Sequence, residues 1–127
     1  MKTNLAISAV LGVLAVILGA FAAHALEDRL SDEALRSFET AVLYQMFHVL
    51  CLLFVNGISS ISNPSKNRIS ILFFLGILCF SGSIYAIYLL GVPASSIWFI
   101  TPPGGLLLIL GWIALLLSIL KISKKIK

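Results

Sequence analysis

The stretch LAISAVLGVLAVILGAFAAHAL, residues 5–26, decides the fold of this chain, because it carries no Lys, Arg, Asp or Glu. At about 1.5 Å of rise per helical residue, it is long enough to cross a hydrocarbon core of roughly 30 Å. Three further apolar runs follow, at residues 38–61, 69–90 and 103–120. The sequence therefore predicts an all-α, polytopic membrane protein built as a four-transmembrane-helix bundle.

The composition indicates that the membrane helices make up nearly the whole protein. Of the 127 residues, 60% are hydrophobic and only 11% are charged, which leaves no room for a separate soluble domain. We therefore predict one membrane domain over residues 1–127. Its helices are expected at about residues 5–26, 32–61, 69–90 and 102–122.

The charged residues predict the orientation. If the chain crosses four times, seven of the nine basic residues share one side with both termini, namely Lys2, Lys66, Arg68, Lys121, Lys124, Lys125 and Lys127. Only Arg29 and Arg36 lie on the other side, where all five acidic residues fall between residues 27 and 39. Basic loops favour the cytoplasm. The pattern predicts a multi-pass protein of the cell membrane with both termini in the cytoplasm, and it gives nucleic-acid binding no support.

The end of the first run also resembles a signal-peptidase site, through Ala23, His24 and Ala25. The apolar stretch before it exceeds the roughly 7–15 residues of a usual signal sequence, and its small residues are spaced for helix packing. We expect it to be retained as a membrane helix.

Two loops have distinct characters. Residues 62–68 are polar, and we predict a turn there in which Pro64 ends the second helix. Residues 91–100 carry no charge and are expected in the headgroup layer, with Trp98 as an interfacial anchor. Thr101 is predicted to cap the last helix.

Polar side chains inside a span are costly, so they mark either packing contacts or a functional site. His48 lies nine residues beyond Glu39, about 13 Å deep, and similar counting brings Gly111 and Trp112 to its level. A candidate ligand-binding or proton-handling cluster at about this depth comprises His48, Tyr44, Gln45, Ser81, Ser83 and Tyr85. Two interpretations stay open: a satisfied hydrogen-bond cluster between helices, or a functional site whose histidine changes charge near neutral pH.

A second candidate site is an outer vestibule near the opposite membrane surface. It comprises His24, Glu39, Thr40, Thr101, Gly104 and Gly105, where free amides of the two glycines are expected to receive a polar headgroup. Counting along the helices separates His24 from His48 by about 12 Å of depth, too far to share a haem iron. We expect no metal site and no cofactor.

Five motifs occur in order, at residues 19–26, 38–48, 80–85, 101–105 and 111–112. Together they resemble the YgdD/YwdK-like family of small four-helix bacterial membrane proteins, a domain-of-unknown-function family. The resemblance implies the fold and a membrane location, and it supplies no catalytic residue.

Several function classes can be compared. Small multidrug exporters, which this chain resembles in size, use a carboxylate in the first helix, and the first span here has none. An enzyme needs a nucleophile, an acid/base pair or a metal set within reach, and the external acids beside His24 are only a weak candidate for one. We therefore expect a lipid- or protein-binding assembly module whose partners are membrane lipid, another membrane protein or a second copy. The alternative is a small transporter or proton-handling protein centred on His48.

Overall fold

The computed structural model describes the backbone of residues 2–126 and the side chains of residues 2–123, and it is helical almost throughout. Four helices are long and apolar enough to cross a membrane. The predicted all-α architecture with four spanning helices is confirmed. The elements are α1 (Lys2–Phe21) with a π-helical continuation (Ala22–Leu26), α2 (Asp32–Gly57), α3 (Asn63–Leu90), the short α4 (Ala94–Ile97) and α5 (Thr101–Ile126).

Helix α2 begins and ends for local reasons. The side chain of Ser31 accepts a hydrogen bond from the Ala34 amide at 3.3 Å, so it caps the free amides of the first turn. The helix was predicted to continue to residue 61, but it ends at Gly57 because Ile58 adopts an extended conformation. Glycine lowers the stability of a helix at that point.

Helix α3 begins at Asn63 rather than at residue 69. Pro64 lies in its first turn, where a missing amide hydrogen costs no helical hydrogen bond. The prediction that Pro64 ends the preceding helix within a polar turn is therefore wrong. As a result, Lys66 and Arg68 belong to α3, and the loop that connects α2 to α3 shrinks to residues 58–62.

The helices pack in chain order, with α1 against α2, α2 against α3 and α3 against α5. In the described part of the chain, no contact of comparable extent joins α1 to α5. The central pair, α2 and α3, is more buried than the flanking helices. Most apolar side chains of α1 and α5 therefore face outward, where a bilayer supplies the matching apolar solvent.

Glycines allow α3 and α5 to approach closely. A Cβ atom at Gly104 would overlap the backbone nitrogen of Phe80, and one at Gly111 would overlap the ring of Phe73. Close approach at small residues is the usual way for helices to associate in lipid, where no hydrophobic force drives them together. The α3–α5 contact thus depends on the absence of these side chains.

Replacing Gly104 with Ala is expected to lower the free energy of unfolding by about 1–3 kcal/mol, because the methyl group meets rigid backbone. Gly105→Ala is the matched control, since its Cβ would lie 3.7 Å from Phe80 Cδ2, an ordinary contact. It should stay within about 0.5 kcal/mol of wild type. Unfolding by SDS titration in mixed micelles measures both, and equal losses would contradict this packing.

Candidate functional site

His48 lies at the point where α2, α3 and α5 meet. Its Nδ1 is 2.6 Å from the carbonyl oxygen of Tyr44, and its Nε2 is 3.1 Å from the indole Nε1 of Trp112. A carbonyl only accepts and an indole nitrogen only donates. The imidazole is therefore neutral, with its hydrogen on Nδ1, and both ring nitrogens have a partner.

Aromatic rings surround this histidine. The ring of Phe73 on α3 lies 5.2 Å from the His48 ring and 5.7 Å from the Trp112 ring, centroid to centroid. These tilted and edge-on arrangements are the favourable ones for aromatic pairs. His48 thus belongs to a three-helix aromatic contact, and depth counting correctly brought it level with Trp112.

Gln45 belongs to a different contact from His48. Its Nε2 donates to the carbonyl oxygen of Leu11 on α1 at 2.7 Å, and its Oε1 accepts from the Tyr85 hydroxyl at 2.8 Å. Gln45 is buried. One side chain therefore links α1, α2 and α3, and the hydrogen-bonding groups of its amide are directed to protein rather than to a cavity.

The two serines form further separate contacts. Ser81 donates to the carbonyl oxygen of Ala41 at 2.7 Å, which joins α3 to α2. Ser83 Oγ lies 2.6 Å from Thr101 Oγ1, which joins α3 to the start of α5. The six residues predicted as one cluster therefore form four contacts: His48 with Tyr44, Gln45 with Tyr85, Ser81 with Ala41, and Ser83 with Thr101.

The predicted outer vestibule is not assembled as expected. Gly104 is buried against α3, and its amide donates to the carbonyl oxygen of Ile100 at 3.1 Å, so it is not free to receive a headgroup. Thr101 pairs with Ser83. Of the other four predicted members, Gly105 is half-buried and three are exposed, namely His24, Glu39 and Thr40. Among the described side chains, no group of His, Cys, Asp or Glu is arranged to hold a metal ion.

A groove lies between α2 and α5 beside His48; we call it the α2–α5 groove. It encloses about 660 Å³ and is lined by Tyr44, Phe47, His48, Leu50, Cys51, Phe54, Trp112, Leu115 and Ile119. Several lining side chains are also exposed on the outer surface, with Phe47 at 59% and Phe54 at 61%. The groove therefore opens toward the region that lipid occupies. The sequence carried a signal for this groove, because Tyr44, Phe47, Cys51 and Phe54 are spaced three or four residues apart and so lie on one face of α2.

A polar cluster at the Lys-rich end of the bundle was not anticipated from the sequence. Asn56 donates to Ser70 Oγ at 2.9 Å and accepts from Asn4 at 3.1 Å, while Lys66 Nζ lies 3.3 Å from the Asn56 carbonyl oxygen. Lys66 is only 2% exposed. Because Pro64 was interpreted as a helix end, this lysine was assigned to a loop instead of to the helix interface.

Replacing Trp112 with Phe is expected to lower the free energy of unfolding by roughly 0.6–1.7 kcal/mol, the range of hydrogen bonds between membrane helices. The ring remains, but His48 loses its donor. Trp98→Phe is the matched control, because Trp98 is 68% exposed and makes no side-chain hydrogen bond in the described structure. The same SDS titration measures both variants, and an unchanged Trp112→Phe protein would contradict a structural role for the bond.

Comparisons with known proteins agree with this architecture. Residues 18–105 match a family described as "Protein of unknown function (DUF423)". A UPF0382 membrane protein of Staphylococcus epidermidis is 42% identical over 123 residues, covering 97% of this chain and 99% of the relative. A UPF0382 membrane protein of Haemophilus influenzae is 44% identical over 114 residues, covering 87% and 88%. No solved structure matches. The expected family of small membrane proteins is confirmed, and the chain belongs to the DUF423 family.

Proposed function

We propose that this protein is a non-catalytic membrane module that holds the hydrocarbon chain of a lipid in the α2–α5 groove. The observation that carries the proposal is the groove itself, about 660 Å³ of space with a largely apolar lining on a surface that faces the bilayer. An open apolar groove in this place fills with hydrocarbon, because an empty one loses dispersion contacts along its whole lining.

The dimensions of the groove suit an extended apolar chain. Along α2 its lining runs from Tyr44 to Phe54, about 15 Å of helix and roughly half of the hydrocarbon core. Along α5 it runs from Trp112 to Ile119. A bound chain would therefore lie along the helices, as lipid tails do.

The His48–Trp112 hydrogen bond supports this function by fixing one end of the groove. It joins α2 directly to α5, although these two helices share little other contact. When the walls of a groove are fixed in position before binding, the protein loses less conformational entropy as the groove is filled. We infer that His48 positions the walls rather than contacting a polar ligand.

The same bond makes the proton-handling alternative less favourable. A proton added to His48 Nε2 would point at the indole hydrogen of Trp112, so charging the ring requires this contact to break. The two hydrogen-bond partners of the ring, a backbone carbonyl and an indole, are not acid/base groups. The geometry therefore supports binding better than transport or catalysis.

We also propose that the protein lies in the cell membrane with both termini in the cytoplasm. The support is the distribution of basic residues along the sequence, because seven of the nine share one side with the termini when the chain crosses four times. A carboxyl-terminal alkaline phosphatase fusion would be inactive in this orientation, and an active one would reverse it.

The lipid proposal is tested by filling the groove. Ile119→Trp places a large ring in the α2–α5 groove and is expected to weaken lipid binding in this groove about tenfold, as loss of space in an apolar pocket does. Leu116→Trp is the matched control: it lies one turn away on α5, outside the groove lining, at similar exposure.

Native mass spectrometry of protein released from detergent counts the retained lipids. Wild type and Leu116→Trp should carry the same number, and Ile119→Trp should carry fewer. Equal retention by all three would contradict the proposal. A partner polypeptide lost selectively from Ile119→Trp would replace lipid with a protein as the occupant.

A further inference from the structure

We propose a second ligand site, in which the groove between α3 and α5 at their Lys-rich end binds an anionic phospholipid through its phosphate. This α3–α5 groove encloses about 300 Å³. Its lining comprises two basic residues, two serines and six apolar residues: Arg68, Lys121, Ser65, Ser118, Ile69, Leu72, Leu110, Ile113, Ala114 and Leu117.

The cations and the apolar residues are arranged as the two parts of a phospholipid are. Arg68 lies in the second turn of α3, and Lys121 lies near the end of α5, so both are at the end of the membrane spans. From Lys121 the lining continues along α5 to Leu110, about 16 Å deeper. A phosphate held between the cations thus has apolar space beneath it for an acyl chain.

The charges at this end favour an anion. All five acidic residues lie between residues 27 and 39, at the opposite end of α2, so no Asp or Glu side chain competes for the two cations. An Arg guanidinium binds phosphate through two parallel hydrogen bonds, and Lys adds a point charge. Basic pockets between membrane helices are known to bind anionic headgroups.

One hydroxyl is available to complete the phosphate site. Ser65 Oγ accepts a hydrogen bond from Ser62 Oγ at 3.0 Å, which leaves the hydrogen of Ser65 to donate. Ser118 differs, because its hydroxyl already donates to the carbonyl oxygen of Ala114 at 2.8 Å. The expected phosphate ligands are therefore Arg68, Lys121 and Ser65.

This site is separate from the α2–α5 groove. The two grooves share no residue, and their α5 linings lie on different faces of that helix. The α2–α5 groove selects only for an apolar chain, whereas the α3–α5 groove selects for negative charge as well. Failure of one proposal leaves the other standing.

The experiment compares headgroups. The protein is reconstituted in nanodiscs that contain equal amounts of phosphatidylglycerol and phosphatidylcholine, and native mass spectrometry counts the lipids that remain bound. Wild type should retain phosphatidylglycerol preferentially. In the double variant Arg68→Gln/Lys121→Gln this preference should fall about tenfold, which corresponds to about 1.4 kcal/mol.

Three further variants make the result specific. Lys2→Gln removes a basic residue at the same end of the bundle but outside the groove, and it should keep the preference. Leu117→Trp fills the apolar part while leaving both cations in place, and it should reduce phosphatidylglycerol retention even if the double variant fails to fold. Ile119→Trp, which tests the other groove, should keep the preference for phosphatidylglycerol.

The proposal is overturned if wild type retains both lipids equally. It is also overturned if Lys2→Gln loses as much preference as the double variant, because diffuse attraction between a basic surface and an anionic bilayer would then explain the result. Unchanged retention in Leu117→Trp likewise excludes this groove as the place where the acyl chain lies.

Discussion

The structure depends on one constraint: inside a bilayer, water is not available to satisfy a polar group, so each buried one must find its partner within the protein. Among the described side chains, every buried nitrogen and oxygen atom has such a partner. Several of these bonds run between helices, as from Ser81 to the Ala41 carbonyl and from Gln45 to the Leu11 carbonyl. The polar residues of this chain therefore determine which helices are neighbours.

Glycine packing determines how closely those neighbours approach. Gly104 and Gly111 bring α5 against α3, while α2 and α5 are joined chiefly around the His48–Trp112 bond. Few contacts join α2 to α5, which leaves the α2–α5 groove open, and the α3–α5 groove extends from the glycine contact toward the Lys-rich end. The two proposed lipid sites occupy these grooves, and because their linings differ we expect only the α3–α5 groove to select for charge.

The spans could be predicted from sequence because length and apolarity are local properties that the bilayer itself requires. Depth could be predicted only in part: the constant helical rise correctly brought His48 level with Trp112. The same count was wrong for α3, because Ser81 contacts Ala41 and Phe73 is the α3 residue beside His48. Depth does not specify which face of a helix meets which neighbour. The predicted cluster around His48 therefore separated into four contacts, and Gly104 proved to be a packing residue rather than a headgroup ligand. Pro64 was ambiguous because proline is compatible both with the end of one helix and with the first turn of the next.

His48 is a neutral structural bridge between α2 and α5, and its bond to Trp112 fixes one end of the α2–α5 groove. Nitrogen NMR of the protein labelled at its histidine and tryptophan rings in bicelles measures this most directly. The account predicts that at neutral pH the His48 hydrogen is on Nδ1 and that a coupling crosses the hydrogen bond from Trp112 Nε1 to His48 Nε2. A hydrogen on Nε2, or on both ring nitrogens, would contradict it.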